Sequence, residues 1–598
     1  MTMSEFISRR ELQFILDDLL EVEQLTKLAP FSDHDGTTFN EVIDSAMRIA
    51  SDHFANHYKL ADEQEPTHND GQVTTLAALK SAWQHYRDAG FLSADVAAEH
   101  GGAQLPYTIT AAVGSIFAAA NVASAAYPFL TSAAAKVIVN FGSDQQRQQF
   151  AEPMLAGQFS GTMALTEPDV GSSLGDLTTK ATPHSDGSYR IKGNKIYISA
   201  GEHDLTDNIV HLVLARIEGA PAGTKGISLF IVPKFLLDPQ GQPSKRNDVQ
   251  LAGLLHKMGY RGTSSTALSF GENDDCVGYL LGEPHQGLKY MFQMMNEARI
   301  FVGIGAAALG YRGYLESLDY AKQRPQGRAP TNLDPTSTPV AIIEHCDVKR
   351  MLLAQKAYSE GSLALTLYAA TLVDRAEAGE DPEAAQLLDL LTPVVKSFPS
   401  IYGLKSNDLA IQVLGGAGYT REYNVEQLYR DNRLNRIHEG TDGIQSLDLL
   451  GRKLWQHRGQ GLALLMAQFQ QTVAAAEHFP ELASLRQGFA QHLLTVSGVI
   501  EQFAGAMQAG EAAKVLDNSA LFLDMFSKTV VAWIWLKSAE CAQRRYGGSE
   551  DRQQRQWLAG KLQAAKYFID WELPEVEHQA RLLRGYNDSC AAMQPEWF

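Results

Sequence analysis

The hydrophobic positions of this chain follow a helical period at both ends and an alternating period in the middle. In residues 1–158 the apolar side chains recur three or four positions apart, which predicts amphipathic helices. Residues 159–282 alternate instead and are rich in β-branched residues, which predicts a small sheet domain. Helical spacing returns in residues 283–457 and continues through residues 458–598. The pattern predicts a mainly α protein with a central small antiparallel β domain, divided into domains at these boundaries.

The middle region contains one further local signal. Residues 189–201 predict two short strands joined by a hairpin turn at Gly193 and Asn194, because Gly-Asn is a common connection between antiparallel strands. The region has no G-x-G-x-x-G segment that leads from a strand into a helix. A Rossmann nucleotide-binding site is therefore not indicated.

Composition and charge restrict the class of protein. At 598 residues the chain is too long for one ordinary hydrophobic core. Its content of 45% hydrophobic and 20% charged residues is typical of soluble globular proteins. The formal net charge of −18 argues against non-specific nucleic-acid binding, which requires clustered positive charge. A polyanionic ligand would have to be bound by local basic, amide and hydroxyl groups.

The cysteines and the N-terminal segment bear on the compartment. The four cysteines are far apart in the sequence and lack metal-ligand spacing, so no metal site is predicted and a reducing compartment is expected. The N-terminal segment has no apolar region of the kind found in secretory signals. The Ala-rich stretch 116–139 contains Asn121, Pro128 and Lys136, so no integral membrane segment is expected. A cytoplasmic enzyme is the simplest interpretation.

The segment from Gln412 to Gly451 combines several features at fixed spacings. It contains a glycine-rich turn, an Arg-Asp pair and an acid, Glu439, which is followed by glycine and threonine. An isolated acid in this place would be interpreted as a solvated or helix-capping residue. The complete string LGGAGYTREYNVEQLYRD, followed by RIHEGTDGIQ, resembles the C-terminal signature of the acyl-CoA dehydrogenase family.

This resemblance implies a reaction and a cofactor. Removal of hydrogen across the Cα–Cβ bond of a thioester requires a base for the α-proton and an acceptor for the β-hydride. No side chain accepts a hydride, so a cofactor must do so. The family uses FAD for this step, with flavin N5 as the acceptor, and its catalytic base maps onto Glu439. The family architecture places a small β-barrel domain between two helical domains, which agrees with the predicted domain order.

Two segments of the predicted sheet domain resemble flavin-contacting segments of the family. The string MALTEPDVGSS implies that Thr166 hydrogen-bonds the isoalloxazine ring and that Ser172 contacts the flavin or the pantetheine–phosphate part of the ligand. The string KIYISAGEHD implies that Tyr197 covers the flavin, where a Trp is usual, and that Ser199 reaches its edge. Hydroxyl donors suit flavin edges and phosphates because they add no charge. Without the resemblance, the segments would be interpreted as a turn and a strand with core residues.

Further residues are assigned to the cofactor from the helical region that follows. The segment QRPQGR resembles one that binds FAD across the dimer interface of the family, which implies a role for Arg324. Gln412, Gly415 and Gly416 correspond to a segment that approaches the FAD of the neighbouring subunit. Thr441 would face the same cofactor.

The resemblance also implies contacts to the substrate. Ser172 and Gly440 correspond to ligand-contacting positions, and Phe292, Met295 and Arg299 correspond to residues that line the ligand channel. A Met and a Phe on one helix would otherwise be interpreted as core residues.

Residues 458–598 resemble the extra helical domain of a larger bacterial branch of the family, which includes 3-methylmercaptopropionyl-CoA and long-chain acyl-CoA dehydrogenases. The resemblance implies a medium-chain, long-chain or methylthio-acyl-CoA substrate and a role in fatty acid β-oxidation. It also implies a homodimer or larger homo-oligomer, and an electron-transfer flavoprotein as the acceptor of the electrons.

Two alternatives remain open at this point. An acyl-CoA oxidase has the same fold and base but passes its electrons to oxygen, and peroxide formation in air would indicate it. A non-catalytic helical assembly protein that retains the fold would be colourless after purification, because it would hold no flavin.

Overall fold

Helices form most of the chain and occupy the segments in which apolar residues have helical spacing. In chain order the α-helices are α1 (Arg9–Gln13), α2 (Gly36–Ile49), α3 (Tyr58–Glu63), α4 (Ala77–Asp88), α5 (Tyr107–Phe141), α6 (Asp144–Gln146), α7 (Glu152–Leu155), α8 (Gly287–Gln323), α9 (Cys346–Glu377), α10 (Pro382–Leu414), α11 (Val425–Arg433), α12 (Asp442–Asp448), α13 (Gln460–Ala476), α14 (Ala483–Gln508), α15 (Ala512–Leu516), α16 (Ser519–Gly548), α17 (Arg552–Tyr567) and α18 (Glu575–Arg584). Helix α4 ends beside Gly90, whose φ of 78° is the left-handed conformation that suits a helix C-terminus.

The alternating segment of the sequence forms the sheet. In chain order the strands are β1 (Thr67–Asn69), β2 (Gln72–Thr74), β3 (Phe159–Ala164), β4 (Lys180–Pro183), β5 (Tyr189–Ser199), β6 (Asn208–Ile217), β7 (Ile227–Pro233), β8 (Phe235–Leu237), β9 (Pro243–Arg246), β10 (Val249–Leu254), β11 (Ser265–Phe270) and β12 (Val277–Leu280). Eight of them form one sheet in the order β10-β11-β5-β12-β7-β6-β3, with β4 beside β5 and β6. The predicted fold class is confirmed, with the refinement that β3 and β4 pair in parallel with β6. A small hairpin, β1–β2, also lies in the region predicted to be helical.

The hairpin turn predicted at Gly193 and Asn194 is wrong. Strand β5 runs through both residues without a break, and both pair with β11. The glycine is needed for a different reason, because a Cβ at this position would lie 2.5 Å from Oγ1 of Thr179. The close approach of a neighbouring side chain, and not a turn, therefore explains the glycine.

The chain divides into two compact units, which we call the sheet unit (residues 37–298) and the bundle unit (residues 1–36 and 299–598). This computed structural model describes residues 5–69, 71–329, 331–332 and 334–598, and it describes residues 293–296 by their backbone alone.

Each unit has a core of its own. In the sheet unit, Ile138 of α5 and Met154 of α7 pack with Leu212 of β6 in one buried cluster. In the bundle unit, α9, α10 and α16 pack against one another. Trp535 of α16 is buried there, and its indole donates a hydrogen bond to the backbone oxygen of Ala357 in α9 at 3.0 Å. The C-terminal helices therefore share a core with the helices that precede them.

Helices α5 and α16 are long and apolar enough to cross a membrane by length and composition. In each of them, 83% of the most apolar 18-residue segment is buried inside the structure, which is typical of core helices. Helix α5 also departs from helical geometry at Asn121 and contains Pro128.

Candidate active site

Glu439 lies between α11 and α12, in a segment that we call the base loop (residues 437–441). Its φ of 53° and the φ of 90° at Gly440 place two consecutive residues in the left-handed region. This conformation is unfavourable for a non-glycine residue and recurs at functional sites. A Cβ at position 440 would lie 2.6 Å from Nε2 of Gln445, so a side chain there would be strained and would displace Gln445. Thr441 then caps α12, because its Oγ1 accepts a backbone hydrogen bond at 3.4 Å.

A chain of buried side-chain amides holds the base loop. The amide nitrogen of Asn432 donates to the side-chain oxygen of Asn407 at 2.7 Å, and that of Asn435 donates to Asn432 at 2.9 Å. The side-chain oxygen of Asn435 lies 3.0 Å from Nε2 of His438, the neighbour of Glu439. The chain thus links α10 and α11 to the loop. These residues are not among those predicted from the sequence, although an asparagine in the apolar part of α10 was an available signal.

The carboxyl of Glu439 is not held by the residues around it. Neither this carboxyl nor the amide of Glu439 forms a hydrogen bond or an ion pair with another described residue. Burial raises the pKa of the carboxyl, and the charges of Arg299 and Lys396 act in the opposite direction. Burial, with a smaller contribution from Lys396, lowers the pKa of the adjacent His438 to about 3. The imidazole is therefore neutral at pH 7. The groups that counter the rise in the pKa of Glu439 are the two cations Arg299 and Lys396.

Both cations are buried. Arg299 of α8 forms an ion pair with Asp448, with 3.4 Å between Nη1 and Oδ2. Lys396 of α10 is 0% exposed, and its Nζ has no hydrogen-bond partner among the described residues. Arg299, which is predicted from the resemblance to line the ligand channel, is thus one of the two cations whose charge acts on Glu439. Lys396 was missed, although a lysine within the apolar run VVKSFP was a visible signal.

The other residues assigned to the ligand channel belong to the sheet unit. Phe292 is exposed on α8, so its ring is free to contact a ligand. Met295 has a side chain that lies outside the described residues. The assignment of both residues to the channel stays a prediction.

Strand β5 contains a bulge at the position predicted to cover the flavin. The register with β11 shifts there, so that Ile196 and Tyr197 lie opposite the single residue Ala267. Tyr197 has a φ of 60°, and its side chain is 66% exposed. The amide of Ile196 donates to the backbone oxygen of Thr166 at 3.0 Å. The bulge therefore presents Tyr197 outward and joins it to the predicted flavin loop, as bulges near active sites often do.

Glu167, which follows Thr166, is the anchor of that loop. Its carboxylate accepts a hydrogen bond from Nζ of Lys195 at 2.9 Å, and others from the amides and hydroxyls of Thr178 and Thr179 at 2.6–3.0 Å. Burial alone would raise the pKa of Glu167, but Lys195 and these donors outweigh it and lower the pKa to about 2. This pair is not among the residues predicted from the sequence.

The exposed residues of the sheet unit fit a flavin. Ser172 and Ser199 are exposed, and their hydroxyls have no hydrogen-bond partner among the described residues. The backbone oxygen of Ser199 accepts a hydrogen bond from Oγ1 of Thr162 at 2.6 Å, which fixes the strand end that carries the hydroxyl. Ser172 and Ser199 thus offer free uncharged donors, and Ser199 shares strand β5 with the exposed ring of Tyr197, which suits an isoalloxazine edge. The buried carboxylate of Glu167 is already neutralised, so it does not repel an anionic cofactor.

A second group of predicted cofactor residues lies at one end of the bundle unit. Arg324 follows α8, and Gln412 lies in the last turn of α10, which ends before Gly415 and Gly416. The ends of the two helices share one hydrophobic cluster, which contains residues from both. All four residues are exposed, and a Cβ on either glycine would meet nothing within 4 Å. The structure therefore brings these four residues to one open surface.

The predicted residues fall into three groups, each described within its own unit. The base loop holds Glu439, Gly440 and Thr441, and the charge of Arg299 acts on Glu439. The bundle end holds the four residues described above, and the sheet unit holds the residues predicted to contact the flavin. The predicted roles of all these residues stay predictions.

Comparison with known proteins identifies the family. Residues 38–158, 162–272 and 285–454 match the family descriptions "Acyl-CoA dehydrogenase, N-terminal domain", "middle domain" and "C-terminal domain". Residues 465–594 match the description "Acetyl-CoA dehydrogenase C-terminal like". These matches cover most of the chain in the order expected from the resemblance.

Relatives that match over nearly the whole chain, and a solved structure with the same fold, support the same family assignment. The chain is 34% identical to 3-methylmercaptopropionyl-CoA dehydrogenase of Ruegeria pomeroyi, over 97% of this chain and 98% of the relative. It is 33% identical to the broad-specificity linear acyl-CoA dehydrogenase FadE5 of Mycobacterium tuberculosis, over 96% of each chain. An acyl-CoA dehydrogenase from Bacillus anthracis, solved with FAD, has the same fold with a TM-score of 0.73 at 21% identity, over 96% of this chain and 91% of that one. The chain therefore belongs to the acyl-CoA dehydrogenase family, the FAD-dependent oxidoreductases of acyl-CoA thioesters, as a member with the additional C-terminal helical domain.

Proposed function

We propose that this protein removes hydrogen from Cα and Cβ of an acyl-CoA thioester to form a trans-2-enoyl-CoA, with Glu439 as the base that takes the α-proton. The observation that carries the proposal is the state of this carboxyl. It has no hydrogen-bond partner among the described residues, and burial raises its pKa. A carboxylate held by several hydrogen bonds would be a weaker base. The left-handed conformation of Glu439 supports the same role, because backbone strain is concentrated at functional sites.

The residues around the base suggest how the α-proton is removed. This proton is weakly acidic, so the negative charge that develops on the thioester oxygen has to be stabilised as the proton leaves. The amide of Glu439 is available to donate to that oxygen, since it has no acceptor among the described residues. A substrate that expels water from the site would raise the pKa of Glu439 further and strengthen the base. When bound, FAD supplies the acceptor of the β-hydride.

The residues proposed to hold FAD form two groups. The first supplies uncharged contacts to the flavin ring, and it consists of Thr166, Ser172, Tyr197 and Ser199. The second supplies a cation, an amide and open backbone to the FAD of a neighbouring subunit, and it consists of Arg324, Gln412, Gly415, Gly416 and Thr441. The exposure of most of the second group supports a homodimer or larger homo-oligomer, which light scattering of the purified holoenzyme would detect.

The proposed substrates are linear acyl-CoA thioesters with medium or long chains, or a methylthio group in the chain. The support comes from two full-length relatives, one named for 3-methylmercaptopropionyl-CoA and one for linear acyl-CoA. A panel of straight, branched and thioether acyl-CoA compounds, assayed with a dye acceptor, tests this. A clear preference for branched chains would contradict the proposal.

The proposed electron acceptor is an electron-transfer flavoprotein. Membership in a family of dehydrogenases supports it. An oxidase would instead form hydrogen peroxide in air at the rate of substrate consumption, without an added acceptor. Assays of peroxide and of enoyl-CoA under air, with and without an added electron-transfer flavoprotein, distinguish the two acceptors.

The role of Glu439 is tested by Glu439→Gln, which keeps the shape of the side chain and removes its basicity. Mixed anaerobically with an acyl-CoA, the wild-type holoenzyme is expected to lose its visible flavin absorbance as the substrate is oxidised. The variant is expected to do so more slowly by about 10²–10⁴-fold, the usual contribution of a general base. Stopped-flow absorbance measures both rates.

The matched control is Glu422→Gln, since Glu422 is an exposed acid in the connection before α11. It should leave the rate unchanged. Both variants should retain bound flavin and the wild-type melting temperature. Full turnover by Glu439→Gln would refute the base assignment.

A further inference from the structure

The strongest unexplained feature of the bundle unit is a lysine inside α10. Lys396 is 0% exposed, and its Nζ has no hydrogen-bond partner among the described residues. A buried ammonium without such partners is unfavourable, since it has lost the water that solvated it. A cation retained under these conditions calls for a function other than stability.

The groups that act on Lys396 include both carboxylates and cationic side chains. Helix α10 packs against α12 and against the turn Leu434–Arg436. The charges that act on Lys396 are those of Asp442 and Glu439, which favour its protonated form, and those of Arg299 and Arg436, which oppose it. Burial is the largest influence and lowers the pKa of Lys396 to about 8, so it is still mostly protonated at pH 7.

Most of these charges already have partners. Asp442 is bound by Arg436, with 2.7 Å between Nη2 and Oδ2. Arg299 is paired with Asp448. Within the described part of the chain, Glu439 has no ion pair of its own and Lys396 has none either. The unpaired anion and the unpaired cation of this cluster are therefore Glu439 and Lys396.

We propose that Lys396 is a positioning residue that supplies the positive charge that keeps the Glu439 carboxyl ionised before the thioester binds. This inference rests on the proposed role of Glu439 as the base. A cation that is near the carboxylate but not hydrogen-bonded to it lowers the cost of ionisation and leaves the oxygens free to take a proton.

The Glu167–Lys195 pair in the sheet unit shows why the absence of direct contact matters. There the ammonium touches the carboxylate at 2.9 Å, and together with four further hydrogen bonds it holds the pKa of Glu167 at about 2. An acid with so low a pKa is a poor base. Lys396 acts on Glu439 without a hydrogen bond, so ionisation is favoured while basicity is retained.

The test is Lys396→Met, which keeps most of the length of the unbranched side chain and removes its charge. In the holoenzyme, the acidic limb of the kcat/KM profile is expected to move to higher pH by roughly one unit, because the neighbouring cation is lost. The rate on the high-pH plateau and the melting temperature should remain close to wild type, since an unpaired buried charge has been removed. Lys396→Gln, which is neutral and polar, repeats the test if the Met variant does not fold.

A second readout observes the carboxyl without turnover. Infrared difference spectra, recorded against pH, contain a carboxylic C=O band of Glu439 that disappears in Glu439→Gln. In Lys396→Met this band is expected to persist to higher pH than in wild type. The measurement separates this inference from the proposed function, because Glu439→Gln could retain turnover while the infrared titration still moved.

The matched control is Lys453→Met. Lys453 is also a buried lysine of the bundle unit, but it is bound to Asp389 and does not act on Glu439. This variant should leave both the pH profile and the infrared titration unchanged. An unmoved acidic limb and an unmoved Glu439 band in both Lys396 variants would overturn the proposal and leave Lys396 with a structural role.

Discussion

Two glutamates of this protein show how neighbouring groups decide the chemistry of one side-chain type. Burial acts to raise the pKa of both Glu167 and Glu439. At Glu167 an ammonium, two amides and two hydroxyls reverse that effect. At Glu439 the nearest cations only reduce it, and the pKa stays above its ordinary value. The first carboxylate is therefore a fixed anion that shapes a loop, and the second is suited to accept a proton.

The first glutamate gives a prediction about stability. Lys195→Met leaves Glu167 buried without its cation, which is expected to lower the free energy of unfolding at pH 7 by about 3–5 kcal/mol. Because the pKa of Glu167 is depressed in the folded protein, the stability it contributes is present above its unfolded value and is lost as the pH falls toward 2. The deficit of the variant should therefore shrink below about pH 4. Denaturant unfolding at several pH values measures it.

The control for this prediction lies on the same strand. Lys192 forms an exposed ion pair with Asp274, so Lys192→Met is expected to change stability by less than about 1 kcal/mol. Equal effects of the two substitutions would show that the buried pair has no special role. Bound flavin per chain should fall in Lys195→Met and not in the control, since only the first pair anchors the flavin loop.

At the scale of elements, the base loop depends on one glycine. Gly440→Ala has to place a Cβ 2.6 Å from Nε2 of Gln445 with a φ of 90°. We expect the loop to shift, with a loss of about 1–3 kcal/mol in stability and at least about tenfold in kcat, because small displacements of a base are costly. Thermal unfolding and anaerobic flavin reduction measure these effects.

Gly443 provides the comparison. It lies inside α12, and a Cβ there would come no closer than 3.9 Å to a neighbouring atom, Oγ1 of Thr441. Gly443→Ala is expected to be neutral or slightly stabilising, by up to about 1 kcal/mol. If Gly440→Ala behaved in the same way, the left-handed conformation of the base loop would not be required for activity.

Glycines also show how far the elements could be predicted from the sequence. At Gly90 a local rule is sufficient, because a helix C-terminus needs a left-handed residue and the signal is contained in the neighbouring sequence. At Gly193 the same kind of rule was wrong, because the glycine is explained by the close approach of Thr179. This residue immediately precedes the neighbouring strand β4. Periodicity predicts which segments are helices or strands, whereas contacts between distant segments depend on the tertiary fold.

The same distinction applies to the site. The resemblance carried by the segment after Gln412 identified Glu439, since motif and residue are adjacent in the sequence. Lys396 and Asn432 were missed because their roles arise from packing of α10 and α11 around the base loop. A polar residue in an apolar helical run indicates only that a partner exists in the fold. It does not identify the partner.

At the scale of the whole molecule, the C-terminal helices are integrated with the rest of the bundle unit. Lys561 of α17 is buried between Glu11 of α1 and Glu360 of α9, and its Nζ lies 2.9 Å from Oε2 of Glu360. Tyr358 of α9 donates a hydrogen bond to Glu572, which follows α17, at 2.8 Å. One buried lysine thus joins the beginning, the middle and the end of the chain.

This arrangement predicts that Lys561→Met destabilises the bundle unit by at least about 3 kcal/mol at pH 7, because the buried carboxylate of Glu11 would lose its ion-pair partner. Glu360 would keep its ion pair with Lys356. Burial and then Glu360 already raise the pKa of Glu11. A raised carboxyl pKa removes stability as the pH rises above the unfolded value, so the deficit of the variant should be largest at neutral pH and smallest below about pH 4. Urea unfolding followed by the fluorescence of the buried tryptophans of α16 measures it across this range.

Lys566→Met on the same helix is the control, since Lys566 is exposed and pairs only with Asp570. It should change stability by less than about 1 kcal/mol and show no such dependence on pH. Adding Glu11→Gln to Lys561→Met removes the carboxylate that is left without an ion pair, so the double variant should recover part of the loss. If Lys561→Met were no less stable than the Lys566 control at pH 7, the C-terminal helices would be held by their apolar core alone, and the buried charges would have no part in joining the ends of the chain.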